Sequence, residues 1–230
     1  MAKLTDPELE PDNERNRVYY EDELDNNPDS SAFVYSTLNQ SFHRTLTRDL
    51  DKVLKSCQFK TKGTVLELMA GCGRNMDLLS TYFEKVEMLD RNESMIKAIK
   101  NLGCKPWAVY EQDVKDFEWD QRPQTYDGIV CIWGLGYLSR ADNVLMLKGI
   151  KRALKPKGSI IFFESVLPLG ETEDRFHDTI EQQNVVRRLG YYNELFTHAG
   201  LRLFEEKRYQ AWDDGENGSE EYASYVLNLN

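Results

Sequence analysis

Short apolar runs alternate with amphipathic segments through the middle of this chain. Five runs have the length and composition of buried strands. They are Val65–Met69, Val86–Leu89, Trp107–Tyr110, Ile129–Trp133 and Ile160–Phe163. The segments between them have apolar residues at helical intervals and predict the helices Met76–Phe83, Met95–Leu102 and Val144–Leu154. Repeated strand–helix–strand units of this kind predict a parallel sheet covered by helices on both faces.

The regions on either side of this alternation predict further elements. Upstream, apolar side chains recur every four residues between Leu38 and Leu54, which is typical of one face of a helix. Downstream, Lys155–Gly158 predicts a turn before the fifth strand. The apolar spacing from Arg175 to His198 predicts one long helix.

Two further strands are predicted near the end of the chain, at Leu201–Tyr209 and Tyr222–Asn230. A short acidic loop joins them, so they should pair antiparallel. The expected fold class is therefore α/β. It consists of a central, mostly parallel seven-stranded sheet with an antiparallel edge pair and helices on both faces.

The first 32 residues differ in composition from the remainder. They contain ten acidic and three basic residues, a net charge of −10 + 3 = −7, and few large apolar side chains. This composition predicts an acidic, partly disordered N-terminal arm at residues 1–32, followed by a single domain at residues 33–230. The arm either keeps the protein soluble or attracts a basic substrate and covers the active site.

Composition and charge also disfavour several classes of function. The formal net charge of −10 disfavours direct binding to nucleic-acid phosphates and favours a cationic partner. No apolar run approaches the roughly 18 residues of a membrane span, and no signal peptide is recognised, so we expect a cytoplasmic or nuclear protein. Three scattered histidines and four widely spaced cysteines predict no metal site.

A glycine-rich turn follows the first predicted strand. Gly71 and Gly73 lie between that strand and the helix beginning at Met76, an arrangement that brings backbone N–H groups close to a ligand. The dinucleotide fingerprint needs a small residue where this chain has Met76, and no Gly-Lys-Ser/Thr follows for a phosphate loop. Asp90 ends the second strand, where its carboxylate can accept hydrogen bonds from both hydroxyls of a ribose.

The order and spacing of these motifs resemble those of class I S-adenosylmethionine-dependent methyltransferases, which have a Rossmann-like fold. Glu67 precedes the glycine turn, Asp90 falls where the family's ribose-binding acid lies, and Glu111–Val114 follows the third strand, where adenine contacts lie. Asp127 begins the fourth strand, and Leu154–Gly158 resembles the turn before the fifth. The resemblance implies S-adenosyl-L-methionine as the cofactor, bound by Glu67, Gly71, Gly73, Arg74, Asp90, Arg91, Asp113, Val114 and Ile132.

A narrower resemblance is to the protein α-N-terminal methyltransferases. Ile132–Leu138 is similar to their Trp-x-x-Gly-His-Leu segment, and Val185–Arg188 followed by Ala199–Leu201 is similar to their C-terminal third. This resemblance implies that Arg74 contacts the carboxylate of the cofactor. It also implies that Trp133 and Tyr137 bind the substrate, with Trp133 as a wall of its channel.

The chain departs from this family mainly on the acceptor side. Tyr137 replaces a histidine, and Ser165 replaces an asparagine that orients the substrate. Met69 replaces the first glycine of the turn, which the loop can absorb if φ at Met69 stays negative. The acid expected shortly after Ser165 has three loose counterparts, Glu171, Glu173 and Asp174.

The predicted catalytic residues are Tyr137, Glu164 and Ser165. They lie near the carboxyl ends of strands, where open α/β sheets bind their ligands. Such side chains can help a cationic amine to lose the proton that blocks its lone pair. Glu164 also has a structural alternative, an ion pair with Arg140 or Lys148.

The predicted function is N-methylation of a protein N-terminus or another cationic amine by in-line methyl transfer. The expected partner is a basic protein segment or a cationic amine, with no direct binding of nucleic acid and no membrane. Two alternatives stay open. One is a small-molecule N- or O-methyltransferase, and the other is a catalytically inactive, methyltransferase-like partner subunit, which the acceptor-side departures favour.

Overall fold

The computed structural model describes residues 37–57, 59, 63–171, 173–178, 183–210 and 221–229, and the predicted arm at residues 1–32 lies outside them. In these ranges the strands are β1 (Thr64–Leu68), β2 (Lys85–Asp90), β3 (Ala108–Glu111), β4 (Tyr126–Ile132), β5 (Leu154–Val166), β6 (Arg175–Asp178), β7 (Gln183–Val186), β8 (Leu201–Gln210) and β9 (Glu221–Leu229). The helices are α1 (Thr37–Ser56), α2 (Met76–Tyr82), α3 (Glu93–Lys100), α4 (Arg140–Ala153) and α5 (Leu189–His198).

Seven of the described strands form one sheet in the order β3-β2-β1-β4-β5-β9-β8. Strands β1 to β5 run parallel, whereas β9 pairs antiparallel with both β5 and β8. The predicted α/β fold, a mostly parallel seven-stranded sheet with an antiparallel edge pair, is therefore confirmed. Consequently the carboxyl ends of β1, β2, β3, β4 and β5 all lie at one edge of the sheet, where ligands bind in open α/β folds.

Local sequence explains where the helices form. Asn92 precedes α3, and its side-chain oxygen accepts hydrogen bonds from two backbone N–H groups of the first turn, at 3.0 and 3.3 Å. Ser139 caps α4 in the same way, at 3.1 Å. The predicted apolar face of α1 is confirmed over its buried residues Leu46, Leu50 and Leu54. No helix in the described ranges is both long and apolar enough to cross a membrane.

Successive residues of each strand point to opposite faces of the sheet, and each face has its own core. Helices α1, α2 and α3 pack on the face that includes Val65 and Val130, which we call face A. Helices α4 and α5 pack on the face that includes Leu66 and Cys131, which we call face B. The face on which a strand residue lies therefore follows from its position along the strand.

The prediction of one long helix from Arg175 to His198 is wrong. The structure has the antiparallel hairpin β6–β7 there, with Phe176 paired to Val185, and α5 begins only at Leu189. Two consecutive β-branched residues in β7 favour extended backbone. Each strand is only four residues long, so apolar spacing alone cannot distinguish the hairpin from a helix.

The predicted turn at Lys155–Gly158 is also wrong in part. Helix α4 does end before it, but the segment belongs to β5 and bulges away from β4. Leu154 pairs with Tyr126 and Ser159 with Gly128, so the intervening residues of β5 outnumber those of β4. The bulge lets Lys155 Nζ reach Asp127 Oδ2 at 2.7 Å.

Candidate active site

The glycine-rich loop after β1 adopts backbone conformations that favour glycine. Gly71 and Gly73 have φ angles of +55° and +76°. A Cβ atom on Gly73 would lie only 2.7 Å from Leu102 Cδ1, so the loop packs tightly there. A Cβ atom on Gly71 would meet nothing within 4 Å, so Gly71 borders open space. The loop therefore leaves room beside its backbone at Gly71.

Met69 lies in the same left-handed region, with a φ of 51°, so the negative φ under which the loop could absorb this residue does not occur. The next residue is held to β2 in this conformation, since the Ala70 N–H donates to the carbonyl of Leu89 at 3.0 Å. The Met69 side chain also fills the space beside Gly134, where a Cβ atom would lie 2.7 Å from Met69 Sδ. Left-handed backbone costs a non-glycine residue about 1–2 kcal/mol and is typical of ligand sites.

Asp90, at the carboxyl end of β2, connects that strand to the glycine loop. Its Oδ2 accepts a hydrogen bond from the Gly71 N–H at 2.8 Å, and its Oδ1 accepts one from the Asn92 N–H at 2.9 Å. Burial raises the pKa of Asp90, while these two N–H donors and Arg91 oppose the rise. Each carboxylate oxygen keeps a second lone pair, so Asp90 can accept further hydrogen bonds from a ligand.

Glu67 is a buried carboxylate on face A of β1, with 2 % of its surface exposed. Its Oε1 accepts a hydrogen bond from Asn75 Nδ2 at 2.6 Å, whereas its Oε2 has no hydrogen-bond partner in the described part of the chain. Burial raises the pKa of Glu67 to about 7, although the Asn75 amide and Arg74 oppose the rise. An unpartnered buried carboxylate oxygen costs free energy unless a ligand donates to it.

The predicted adenine contacts lie after β3. Arg91 Nη1 lies 3.4 Å from Asp113 Oδ2, and Asp113 Oδ1 accepts the Lys115 N–H at 3.0 Å. Val114 is buried, and its carbonyl accepts Trp119 Nε1 at 3.3 Å. The Asp113 side chain therefore shapes its own turn and keeps acceptor capacity on a partly exposed carboxylate.

The side chains of Trp133 and Arg74 lie next to each other at this edge of the sheet. The Arg74 guanidinium lies 5.6 Å from the Trp133 ring centroid. Trp133 has a φ of 55°, a second strained residue at the carboxyl ends of the strands. Its backbone N–H donates to the Phe163 carbonyl at 2.8 Å. Tyr137 follows at the end of a short 3-10 helix, Leu135–Tyr137, and is half-buried.

Ser165 and Ile132 lie on face A, the same face as Glu67 and Asp90. Ser165 is half-buried, and its backbone pairs with that of Tyr222 in β9. The structure therefore brings four predicted residues from four strands to one face at one edge of the sheet.

Glu164 lies on the opposite face. Its neighbours in β5 on that face are Phe162 and Val166, and 2 % of its surface is exposed. Its Oε1 accepts hydrogen bonds from the N–H groups of Gly134 and Leu135, at 2.9 and 2.8 Å. Burial raises the pKa of Glu164 to about 8, and these N–H donors oppose the rise.

The structural alternative for Glu164 is an ion pair with Arg140 or Lys148, but no such pair occurs among the described residues. The Arg140 guanidinium lies instead 5.4 Å from the ring centroid of Tyr191. Glu164 is therefore held by backbone N–H groups and not by a cation.

The three acids that follow β5 have different surroundings. Asp174 has a structural role, because its Oδ2 accepts a hydrogen bond from Arg187 Nη1 and its Oδ1 accepts one from the Arg188 N–H, both at 2.9 Å. Glu171 pairs with Arg175 at 2.7 Å on the surface. Glu173 is exposed and makes no ion pair among the described residues. Of these three acids, Glu173 is the one for which the described residues provide no partner.

Sequence reasoning missed two contributions to this region. Asn75 fixes one oxygen of Glu67, and Asp49 of α1 accepts the hydroxyl of Tyr222, the backbone partner of Ser165, at 2.8 Å. A signal for Asp49 is present, since this acid interrupts the apolar face of α1 between Leu46 and Leu50. Among the described residues, no group of three or more His, Cys, Asp or Glu side chains is arranged to hold a metal ion.

The residues at this edge fit S-adenosylmethionine. The free lone pairs of Asp90 suit adjacent ribose hydroxyls, and the unpartnered Oε2 of Glu67 suits an ammonium group. The open space beside Gly71 leaves room for a ligand against the backbone. Arg74 is exposed and cationic, which suits the carboxylate of the methionine part.

Solved structures share this fold. A SAM-dependent methyltransferase from Leishmania major superposes with a TM-score of 0.78 and 23 % identity, over 94 % of this chain and 82 % of that one. The 1,6-didemethyltoxoflavin-N1-methyltransferase of Burkholderia thailandensis, with S-adenosylhomocysteine bound, gives a TM-score of 0.66 and 12 % identity, over 100 % of this chain and 93 % of that one. At these identities the likeness concerns the fold.

Sequence comparison identifies the family. The N-terminal Xaa-Pro-Lys N-methyltransferase 1 of Bos taurus is 30 % identical over 172 residues, which cover 72 % of this chain and 74 % of the relative. The alpha N-terminal protein methyltransferase 1 of Arabidopsis thaliana is 26 % identical over 62 % of this chain and 52 % of the relative. Residues 36–220 match the profile of the AdoMet dependent proline di-methyltransferases, and the chain belongs to this family of S-adenosylmethionine-dependent enzymes.

Proposed function

We propose that this enzyme transfers the methyl group of S-adenosylmethionine to the α-amino nitrogen of a protein N-terminus. One observation carries the proposal. The predicted cofactor residues Glu67 and Asp90 and the predicted acceptor-side residues Trp133 and Ser165 converge at one edge of the sheet. A donor and an acceptor held there are adjacent, and their alignment supplies much of the rate acceleration of a transfer reaction.

Bound S-adenosylmethionine supplies an electrophilic methyl group on a sulfonium. The protein's residues then have to bind and orient the two partners and to exclude water. Asp90 and Glu67 offer acceptors for hydroxyl and ammonium groups, and Arg74 offers a donor for a carboxylate. The Trp133 ring lies beside the Arg74 guanidinium, and we propose that it serves as an apolar wall of the acceptor channel.

The pKa values of the two kinds of amine favour an α-amine over a lysine side chain as the acceptor at neutral pH. An amine must be neutral to attack, and an N-terminal amine with a pKa of about 8 is roughly one-tenth neutral at pH 7. A lysine ε-amine with a pKa of about 10.4 is neutral in roughly one molecule in 2,500. Glu164, the strand-end acid expected to serve as a base, lies on face B, so we propose that the acceptor amine reaches the site already neutral.

We also propose that the acceptor has a basic residue close to its terminus. Relatives are named for an Xaa-Pro-Lys terminus. The net charge of this chain is −10, and Glu173 is exposed without an ion pair among the described residues, which supports attraction of such a segment. The proposed site of action is the cytoplasm or the nucleus.

Transfer to synthetic peptides tests the proposed acceptor. We expect mass spectrometry to locate methyl groups on the α-nitrogen of a peptide beginning Ala-Pro-Lys and to find none on the same peptide with an acetylated N-terminus. Replacing the peptide lysine by glutamine should lower kcat/KM about tenfold, the cost of one lost charge pair. Labelling of small molecules alone in a cell extract, or no transfer despite cofactor binding, would contradict the proposal.

A variant at Trp133 tests which residue borders the acceptor. Trp133→Ala should raise the peptide KM about tenfold, because it removes an apolar wall worth about 1–2 kcal/mol. The matched control is Trp107→Ala, a tryptophan 64 % exposed before β3 at the opposite edge, which should leave the peptide KM unchanged. Equal effects of the two substitutions would remove Trp133 from the acceptor side.

A further inference from the structure

We propose that Glu164 is a positioning residue: its buried carboxylate holds the backbone of the turn Trp133–Tyr137 and thereby sets the two side chains that border the acceptor. The proposal that these side chains border an acceptor rests on the proposed function. The contact between Glu164 and the turn is independent of the proposed function, because it is made entirely between described residues of this chain.

The direction of the Glu164 side chain separates it from the reacting groups. Residues of β5 alternate, so that Phe163 and Ser165 lie on face A while Phe162 and Glu164 lie on face B. The predicted cofactor residues Glu67 and Asp90 are on face A. The Glu164 carboxylate therefore points away from Glu67, Asp90 and Ser165, and its Oε1 already accepts two backbone N–H groups, so we assign it no proton transfer.

The contacts of Glu164 are those of a backbone anchor. One carboxylate oxygen accepts the consecutive N–H groups of Gly134 and Leu135, at 2.9 and 2.8 Å. The 3-10 helix Leu135–Tyr137 begins there, and the first N–H groups of such a helix have no partner within it. By accepting both N–H groups, Oε1 satisfies buried donors that would otherwise have no partner, and it thereby stabilises the start of the turn.

The turn needs such an anchor because it is tight and strained. Trp133 has a φ of 55°, which persists only where the surroundings over-determine the backbone. Gly134 packs against β4, where a Cβ atom would lie 2.4 Å from Cys131 Sγ. On the other side Gly136 packs against β7, where a Cβ atom would lie 3.1 Å from the Val185 carbonyl oxygen. Glu164 supplies the hydrogen bonds, and the two glycines supply the close packing.

Amide hydrogen exchange tests the anchor without any acceptor. We expect Glu164→Ala to speed exchange of the Gly134 and Leu135 amides about tenfold or more, because each loses its hydrogen-bond acceptor. Glu164→Gln keeps a carbonyl oxygen in place and should keep exchange within about threefold of the unmodified protein. Unchanged exchange in Glu164→Ala would overturn the proposal, whether or not any peptide is methylated.

Kinetics separate positioning from proton transfer. Glu164→Ala should raise the peptide KM about tenfold with a cofactor Kd within about twofold, and Glu164→Gln should restore most of the lost kcat/KM. A residue that accepts the proton would lose activity equally as glutamine and as alanine, and that result would overturn the proposal. A cofactor Kd that rises as much as the peptide KM would also overturn it, since it would indicate general disruption of the fold.

A double variant provides the last control. If Glu164 acts through the turn, Glu164→Ala should raise the peptide KM of the Trp133→Ala variant by clearly less than the roughly tenfold that it causes alone, because one of the two side chains that it positions is already absent. Additive effects would mean that Glu164 acts on the acceptor by another route and would overturn the proposal.

Discussion

Glu67 and Glu164 are two buried glutamates near the carboxyl ends of parallel strands, and they differ in what their oxygens contact. Each has 2 % of its surface exposed, and burial raises the pKa of Glu67 to about 7 and that of Glu164 to about 8. Glu67 lies on face A and keeps one oxygen without a partner among the described residues. Glu164 lies on face B, and its oxygen is occupied by two backbone N–H groups.

This difference shows that a raised pKa does not by itself identify a ligand-binding acid. Burial raises the pKa of a carboxylate wherever it lies, in a structural anchor as in an active site. The unsatisfied hydrogen-bonding capacity of Glu67 is what indicates a cationic ligand. Asp90 and Asp127 both accept backbone N–H groups and differ in location, because Asp90 borders the open glycine loop, whereas Asp127 lies near the start of β4 and accepts the Thr64 N–H at 2.9 Å and Lys155 Nζ at 2.7 Å.

The largest expected effect is on cofactor affinity, and it should distinguish Asp90 from Asp127. Asp90→Ala removes both oxygens that can receive ribose hydroxyls and also the acceptor of the Gly71 N–H, so the cofactor Kd should rise about 10- to 100-fold. Calorimetric titration with S-adenosylmethionine measures the change. Asp127→Ala is the matched control and should lower thermal stability while the cofactor Kd stays within about twofold. Equal losses of affinity for the cofactor would contradict the assignment of Asp90 to cofactor binding and of Asp127 to structure.

A smaller effect is expected for the two glutamates. Glu67→Gln keeps an acceptor for Asn75 but loses the negative charge beside the proposed ammonium, which should raise the cofactor Kd about five- to tenfold. Glu164→Gln should leave the cofactor Kd unchanged, because its side chain lies on the other face. A rise in Kd for Glu164→Gln as large as that for Glu67→Gln would contradict the claim that only Glu67 contacts the cofactor.

The fold could be predicted from the sequence because its signals are strong. Continuous apolar runs such as Val65–Met69 are buried on both faces, and this leaves one interpretation for each parallel strand. The hairpin at Arg175–Val186 could not be predicted, since its four-residue strands give too few positions to establish a period. The left-handed φ of Met69 could not be predicted, because local preference disfavours it and its contacts are with residues distant in sequence.

The candidate site could be predicted in part. Alternation along β5 already implies that Glu164 and Ser165 point to opposite faces, although only the structure shows which face carries the glycine loop. Side-chain contacts between residues that are far apart in the sequence cannot be predicted from the spacing of residue types. The pair formed by Asp49 and Tyr222 joins positions 173 apart, and the Asn75 amide turns back 8 positions to Glu67. Such partners follow from packing, which a single sequence does not display.

The smallest expected effect is the pH dependence of stability. A glutamate whose pKa is raised on folding binds more protons in the folded state, so the free energy of unfolding falls as pH rises from the unfolded pKa of about 4.5 through the folded pKa. For Glu67 this loss is nearly complete at pH 7, whereas for Glu164 it continues to pH 8. Between pH 7 and pH 8, Glu164 should therefore account for a loss of about 1 kcal/mol.

Chemical denaturation at pH 7 and pH 8 separates the two glutamates. Glu164→Gln should abolish most of the loss between these pH values, and Glu67→Gln should leave most of it. Saturating S-adenosylmethionine should lower the pKa of Glu67, since a cation beside a carboxylate favours its charged form, and should flatten the dependence below pH 7. It should leave the segment from pH 7 to pH 8 unchanged, because Glu164 faces backbone and not ligand. A cofactor that flattened both segments equally would place both glutamates at the ligand.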